Sequence, residues 1–204
     1  MGLWSERVLP RIVDRALGGE QAQAVRGRVC AGLSGEVLEI GFGSGLNLPH
    51  YPAAVTRVAA VEPSDLAWRL AAPRVAAARA PVDRAGLDGQ RLPFPDDAFD
   101  SALSTWTLCT IPDAAAALRE VRRVLRPGGR LHFVEHGLAP EPAVQRWQRR
   151  LEPLQKRVGG GCHLTRRADA LVQEAGFTLE RLDRHYLPGE PRPFAALYEG
   201  VAAR

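Results

Sequence analysis

Apolar positions along the chain switch between two periods, short extended runs and longer stretches with steps of three and four. Val37, Leu38 and Ile40 form an apolar run broken only by Glu39 and predict a buried parallel strand over 36–40. Val58 to Val61 belongs to a second strand near 56–62, and a weaker third lies near 80–85. A fourth runs from Phe99 to Ser104 and a fifth from Arg130 to Glu135. Helical stretches separate them. Ser64 is an N-cap candidate for a helix to about Ala78, in which Pro73 should produce a kink or an end. Asp113 caps a helix to Leu125, and Pro127-Gly128-Gly129 stops it. Strands and helices alternating at this length predict a parallel sheet with helices on both faces.

Both ends of the chain break that rhythm. Leu3, Trp4, Val8, Leu9, Ile12, Val13, Ala16 and Leu17 fall on one helical face, with Arg7, Arg11, Asp14 and Arg15 toward the other. Gly18-Gly19 ends this helix, and a second over 21–31 leads into the first strand. Residues 1–31 are therefore expected to form a helical cap. At the other end Thr165 should cap a helix to Ala175, followed by strands at Phe177–Leu182 and Phe194–Tyr198. The short connection between these two strands suits an antiparallel hairpin, because a parallel pair needs a longer crossover. Val144, Trp147, Leu151, Leu154 and Val158 make an apolar stripe on a helix kinked or interrupted at Pro153. Arg146, Arg149, Arg150, Lys156 and Arg157 surround the stripe. The segment 140–165 is expected to be a lid on the acceptor side.

Composition narrows the class. A chain of 204 residues fits one domain, 1–204, with a full core, and 46% apolar with 25% charged residues is globular usage. The net charge is +4 and the pI about 9.4, yet 23 acids are interspersed among 27 bases, of which only Lys156 is lysine. That pattern argues against a nucleic-acid partner. No apolar run reaches the length of a membrane span, and the first residues lack the apolar core of a signal peptide. Basic residues beside apolar helix faces allow transient contact with an anionic membrane surface. Cys30, Cys109 and Cys162 are odd in number, far apart and without C-x-x-C spacing. They point to a cytoplasmic protein with neither a disulfide framework nor a zinc site. Nothing in the sequence specifies an oligomeric state.

The chemistry-bearing residues gather where the predicted strands end. Gly41, Gly43 and Gly45 follow the first strand, and Glu62 ends the second, roughly 20 residues on, at the separation that places a carboxylate on a ribose. A dinucleotide fingerprint would need glycine at position 46, which is Leu46, so an oxidoreductase is disfavoured. Asp88-Gly89, Ser104 to Thr110 and Glu135-His136 follow the next three strands. In an open α/β sheet this edge is where ligands bind.

Glu39 before the G-x-G-x-G turn resembles motif I of class I S-adenosylmethionine-dependent methyltransferases. The segments DGQRLPFPDDAFD (Asp88 to Asp100) and ALREVRRVLRPGGRL (Ala117 to Leu131) resemble the type 11 methyltransferase domain. The resemblance implies an α/β fold: a Rossmann-like, doubly wound, seven-stranded sheet, mostly parallel with an antiparallel C-terminal hairpin. It also implies S-adenosyl-L-methionine as cofactor and S-adenosyl-L-homocysteine as product. Gly41, Gly43 and Gly45 would then pack against the methionine part and ribose, and Glu62 would accept from the ribose hydroxyls. Asp88 would accept from the adenine amine, and Glu39 would orient the glycine loop or the cofactor's amino group. Gly89 and Ser104 complete the cofactor-side set.

Thr107 to Thr110, Glu135-His136, Trp147 and Gly161 to Arg166 together look like the thiol methyltransferase-like proteins of animal membranes and their bacterial relatives. Those animal proteins carry an apolar N-terminal anchor where this sequence has an amphipathic helix. The resemblance implies a small-molecule, apolar acceptor such as an alkyl thiol. Quinone-ring C-methylation or phospholipid N-methylation is the alternative, and a non-catalytic cofactor-binding protein the remaining class. His136 and Glu135 are the catalytic candidates, since a thiol must lose its proton to become the nucleophile. Cys109, Trp147, Cys162 and His163 are candidates for substrate contact or lid. His132 should be structural, and no metal-ligand set is expected.

Overall fold

The structure, a computed structural model, describes residues 4–204. Strands β1 (Gly35–Ile40), β2 (Val55–Val61), β3 (Val82–Gly86), β4 (Phe99–Thr105) and β5 (Leu125–His136) pair in parallel. Strand β7 (Ala196–Ala203) lies antiparallel between β5 and β6 (Thr178–Tyr186), completing the order β3-β2-β1-β4-β5-β7-β6. Val37 to Ile40 are buried because β1 has a strand on each side and helices on both faces. Successive side chains feed opposite cores. Val37, Val58, Leu103 and Val134 pack with α2 (Glu20–Cys30) and α3 (Asp65–Ala76). Leu38, Ile40, Leu131 and Phe133 pack with α4 (Ala114–Val124) and α6 (Ala168–Glu174). The order reverses between β1 and β4, so their carboxyl ends open the crevice expected to take a ligand.

Local signals hold where the backbone could satisfy them. Ser64 and Asp113 both cap, their side chains accepting from Ala67 N at 3.2 Å and Ala116 N at 2.8 Å. Pro73 does not end α3, which runs on to Ala76. A proline near a helix C-terminus forfeits a single amide hydrogen bond, and its own carbonyl still accepts from Ala77 N at 3.2 Å. Pro153 likewise lies within a continuous α5 (Pro142–Val158). Strand β5 begins already at Leu125. The register breaks between the Phe99–Leu125 and Ser101–Arg130 pairs, so Pro127-Gly128-Gly129 interrupts the ladder rather than preceding it.

Three further expectations need correction. Thr165 caps no helix, because its amide and hydroxyl both donate to Glu152 Oε2 at 2.8 and 2.5 Å, and α6 starts at Ala168. Phe194 lies in the short helix α7 (Arg192–Ala195), and β7 starts only at Ala196. The N-terminal helix is two elements, a π-helical turn Trp4–Val8 and α1 (Leu9–Ala16), with Pro10 at the restart; Leu3 lies outside the described residues. Among the described residues no helix is long and apolar enough to cross a membrane.

Candidate functional site

The turn after β1 has three positions that only glycine occupies without strain. Gly41, Gly43 and Gly45 have φ of 68°, 60° and 75°. At Gly41 a Cβ would also overlap the Thr107 side chain, so the β1 and β4 loops approach closely because a side chain is missing. The Gly43 amide donates to Glu62 Oε2 at 2.7 Å, and Ser64 N donates to Glu62 Oε1 at 2.7 Å. Glu62 thus joins the glycine turn to the start of α3. It is buried, which pushes its pKa up, against these amides and Arg84, which hold it down. Each oxygen keeps a further lone pair for a hydroxyl donor. Beyond Gly43 a Cβ would find open space apart from the Gly41 carbonyl, which leaves backbone there for a ligand to approach.

Glu39 heads a buried network that spacing did not announce. Its carboxylate accepts from Asn47 Nδ2 at 2.6 Å and from the Tyr51 hydroxyl. Asn47 Nδ2 also donates to Thr105 Oγ1 at 2.9 Å. Arg26, almost wholly buried in α2, donates to Asn47 Oδ1 at 2.6 Å and Thr105 Oγ1 at 3.0 Å, and its guanidinium lies 4.8 Å from the Trp106 ring centroid. Burial lifts the Glu39 pKa to about 7, although Tyr51, Asn47 and Arg26 oppose the rise; burial lowers Arg26 to about 10. Arg26, Asn47, Tyr51 and Thr105 gave no motif, since a buried arginine in a helix has the same sequence signature as an exposed one.

On the outer side of the crevice, Asp88 Oδ1 accepts from the Gln90 amide at 2.9 Å and its Nε2 at 3.2 Å, leaving Oδ2 open to solvent. Gly89 sits against Ile111 and Ile40, where a Cβ would find ordinary contact.

The ends of β4 and β5 are tied by Glu135. Its fully buried carboxylate accepts from Ser104 Oγ at 2.7 Å, Thr107 N at 3.1 Å and Cys109 N at 3.2 Å. Burial raises its pKa against those donors. Ser104 faces Glu135, buried within the sheet. Trp106, the residue between these contacts, has φ of 51°, a left-handed conformation rare for a bulky side chain. Its indole Nε1 is buried without a hydrogen-bond partner, and its ring meets the His136 ring edge-on at 6.5 Å. Backbone strain and an orphan donor thus meet at this strand end, and no sequence signal identified them.

The loop between α5 and α6 closes over this end. Gly161 has φ of 91°, and the next residue brings Cys162 Sγ to 3.8 Å from His136 Nδ1. Cys109, Cys162 and His136 place their donor atoms within 4.8 Å of one another. The neighbouring Cys109 thiol, with His136, favours the Cys162 thiolate, while that neighbour and burial hold Cys109 as a thiol. His163 N donates to Cys109 O at 2.8 Å, and its ring lies 3.3 Å from Glu152. Arg166 donates to the carbonyls of Leu108 and Ile111. His132 is buried with Nδ1 at 3.0 Å from the Val29 carbonyl, as its mid-strand position implied. Trp147 is not drawn in: 55% exposed, it stacks under Arg150 on the outer face of α5. Gln148 anchors that helix instead, accepting from Ala139 N at 2.9 Å and donating to Gly137 O at 3.0 Å.

These features meet a pattern seen in known proteins. Residues 38–133 match the family model described as a methyltransferase domain. The thiol S-methyltransferase TMT1B of Rattus norvegicus is 34% identical over 177 residues, 83% of this chain and 69% of that protein. The thiol S-methyltransferase TMT1B of Homo sapiens is 35% identical over 181 residues, 85% and 73% of the two chains. Among solved structures, a putative methyltransferase from Bacillus halodurans superposes with a TM-score of 0.68 at 18% identity, over 88% of this chain and 95% of that one.

Proposed function

The chain belongs to the class I S-adenosylmethionine-dependent methyltransferases, and we propose that it transfers the methyl group to a small, apolar thiol. Its cofactor is S-adenosyl-L-methionine, which when bound supplies a sulfonium-activated methyl group. The residues present fit that ligand. The glycine turn offers open backbone, Glu62 retains acceptor capacity beside it, and Asp88 presents a free carboxylate oxygen on the same edge of the sheet. Gly41, Gly43 and Gly45 would present bare backbone to the methionine part and ribose. Glu39 and Ser104 support the cofactor side from within the core, through Asn47 and Glu135.

One observation carries the acceptor reading. His136, at the end of β5, is a half-buried imidazole flanked by Trp106 and by Cys162. An imidazole set between an indole and a cysteine suits an acceptor that arrives neutral and must lose a proton, as a thiol does. Similarity to thiol S-methyltransferases over most of the chain supports the same acceptor. Removing the proton falls to the group of side chains around His136 at the end of β5. Glu135, whose carboxylate is occupied by Ser104, Thr107 and Cys109, acts as a positioning residue. Transfer is an in-line displacement, in which the acceptor sulfur bonds the methyl carbon as the carbon–sulfonium bond breaks. Alignment and exclusion of water supply the rate, with no covalent enzyme intermediate. Segment 140–165 is the acceptor-side lid through Cys162 and His163, the described part (4–31) of the 1–31 cap covers the other side, the chain acts as one domain, and its compartment is the cytoplasm.

The test is S-adenosylhomocysteine formation by the purified chain across alkyl thiols, demethylated quinones and phosphatidylethanolamine. Turnover on thiols alone is expected. Turnover on a quinone or a phospholipid with none on thiols would sink the acceptor reading and leave the family assignment intact.

A further inference from the structure

The cysteine and histidine positions that sequence spacing left unrelated converge in space. Cys109 follows β4, His136 ends β5, and Cys162 lies between α5 and α6, yet their donor atoms lie within 4.8 Å of one another. We propose that these three residues bind one soft divalent cation, Zn2+, and leave its fourth position to the acceptor thiol. The inference rests on the thiol reading for the fourth ligand only; the metal site stands on the three residues.

The geometry is close to what the ion requires. With bonds of about 2.3 Å to sulfur and 2.0–2.1 Å to nitrogen, a tetrahedral site has sulfur–sulfur and sulfur–nitrogen edges of roughly 3.8 and 3.5 Å. Cys162 Sγ is already 3.8 Å from His136 Nδ1. Two thiolates and an imidazole form a soft donor set selective for zinc over magnesium or calcium. They also offset the charge of a dication in a site where both cysteines are buried. Among the described residues no fourth histidine, cysteine or carboxylate joins the cluster, and three protein ligands with one open position is the arrangement of a reactive rather than a structural zinc.

The surroundings hold these donors in place. The Cys109 amide donates to Glu135, the His163 amide donates to the Cys109 carbonyl, and Arg166 grips the carbonyls on either side of that loop. Such outer contacts fix ligand orientation before a metal arrives. His136 is the one ligand that is not fully buried, so an acceptor enters from its side. A thiol that takes the open position loses its proton to solvent and remains a nucleophile. Its sulfur then bonds the methyl carbon as the carbon–sulfonium bond breaks, and S-adenosylhomocysteine departs. In this form His136 is a ligand, and the cation does the work of a base.

The test uses the full chain, kept reduced with a phosphine, stripped by chelator, and titrated with Co2+ and then Zn2+. A folded wild-type chain should bind a single Co2+ with intense thiolate-to-cobalt absorption and the visible bands of tetrahedral coordination, both abolished by Zn2+. Cys162→Ser and Cys109→Ser should lose that absorption and at least about 10–100-fold in affinity. His136→Gln keeps both thiols, so it should retain sulfur absorption with shifted visible bands and weaker binding. Circular dichroism identifies any variant that fails to fold, and His136→Gln serves where a cysteine variant does. Absence of thiolate-to-cobalt absorption in the folded wild type, or unchanged affinity in Cys162→Ser, overturns the site. Thiol turnover equal in stripped and Zn2+-loaded chains overturns the metal's part in the reaction. Metal binding with no turnover on any thiol overturns the acceptor reading alone.

Discussion

Glu62 and Gly43 are joined by a hydrogen bond of 2.7 Å from the glycine amide to the carboxylate, so one acid both holds the glycine turn and lies at the edge proposed to take the cofactor. The other carboxylate oxygen holds Ser64 N at the start of α3. Glu62→Ala should therefore remove a ligand contact and loosen the turn together. A hydrogen bond to a charged group contributes about 1.5–3 kcal/mol, so affinity for S-adenosylhomocysteine should fall by at least about tenfold. Calorimetric titration reads this directly. Unchanged affinity would show that Glu62 serves the turn alone.

Glu135 ties Ser104, Thr107 and Cys109 into one unit. Glu135→Ala should leave three donors buried without an acceptor, at about 1–3 kcal/mol for each group that finds no water. Urea denaturation should show that loss. As a positioning residue it should lower turnover without removing an ionisation from the pH–rate profile. Disappearance of a limb of that profile in a folded Glu135→Gln chain would instead make Glu135 a base.

Glu39 makes stability depend on pH near neutrality. Its folded pKa is raised to about 7 from the usual 4.5, chiefly by burial. The folded state holds the proton more tightly than the unfolded state. Its contribution is fully present below pH 4.5 and is lost as pH rises through about 7. Melting temperature should decline between pH 5 and 8 in the wild type and decline less in Glu39→Gln. Parallel curves for the two chains would show that the charge on Glu39 is compensated by Arg26.

Gln148 and Trp147 are neighbours on α5 with opposite roles. Gln148 is 1% exposed and bonds Ala139 and Gly137, whereas Trp147 is 55% exposed. Gln148→Ala should cost about 1–3 kcal/mol, and Trp147→Ala should stay within about 0.5 kcal/mol. Denaturation curves for the two variants check the contrast. A large loss for Trp147→Ala would mean that its face is covered in solution.

The alternating elements, the capping residues Ser64 and Asp113, and the glycine turn with Glu62 were all legible from the chain. Each depends on contacts within a few residues or on a strand buried on both faces. Local rules misled where a distant group outbid the nearby one. Thr165 is held by Glu152, thirteen residues away, instead of capping α6. The apolar stripe of α5 signalled a buried face, yet Trp147 and Leu154 point outward and an amide anchors the helix.

What the sequence by itself determined is the cofactor half: a turn that needs glycine, an acid at the end of the next strand, and a parallel sheet to set them side by side. Those signals are local or periodic, so one dimension suffices. The Arg26–Asn47–Glu39 network and the meeting of Cys109, His136 and Cys162 were decided only by the tertiary structure. Their members come from separate elements, and only the order of β1, β4 and β5 and the path of the loop after α5 bring them within bonding range.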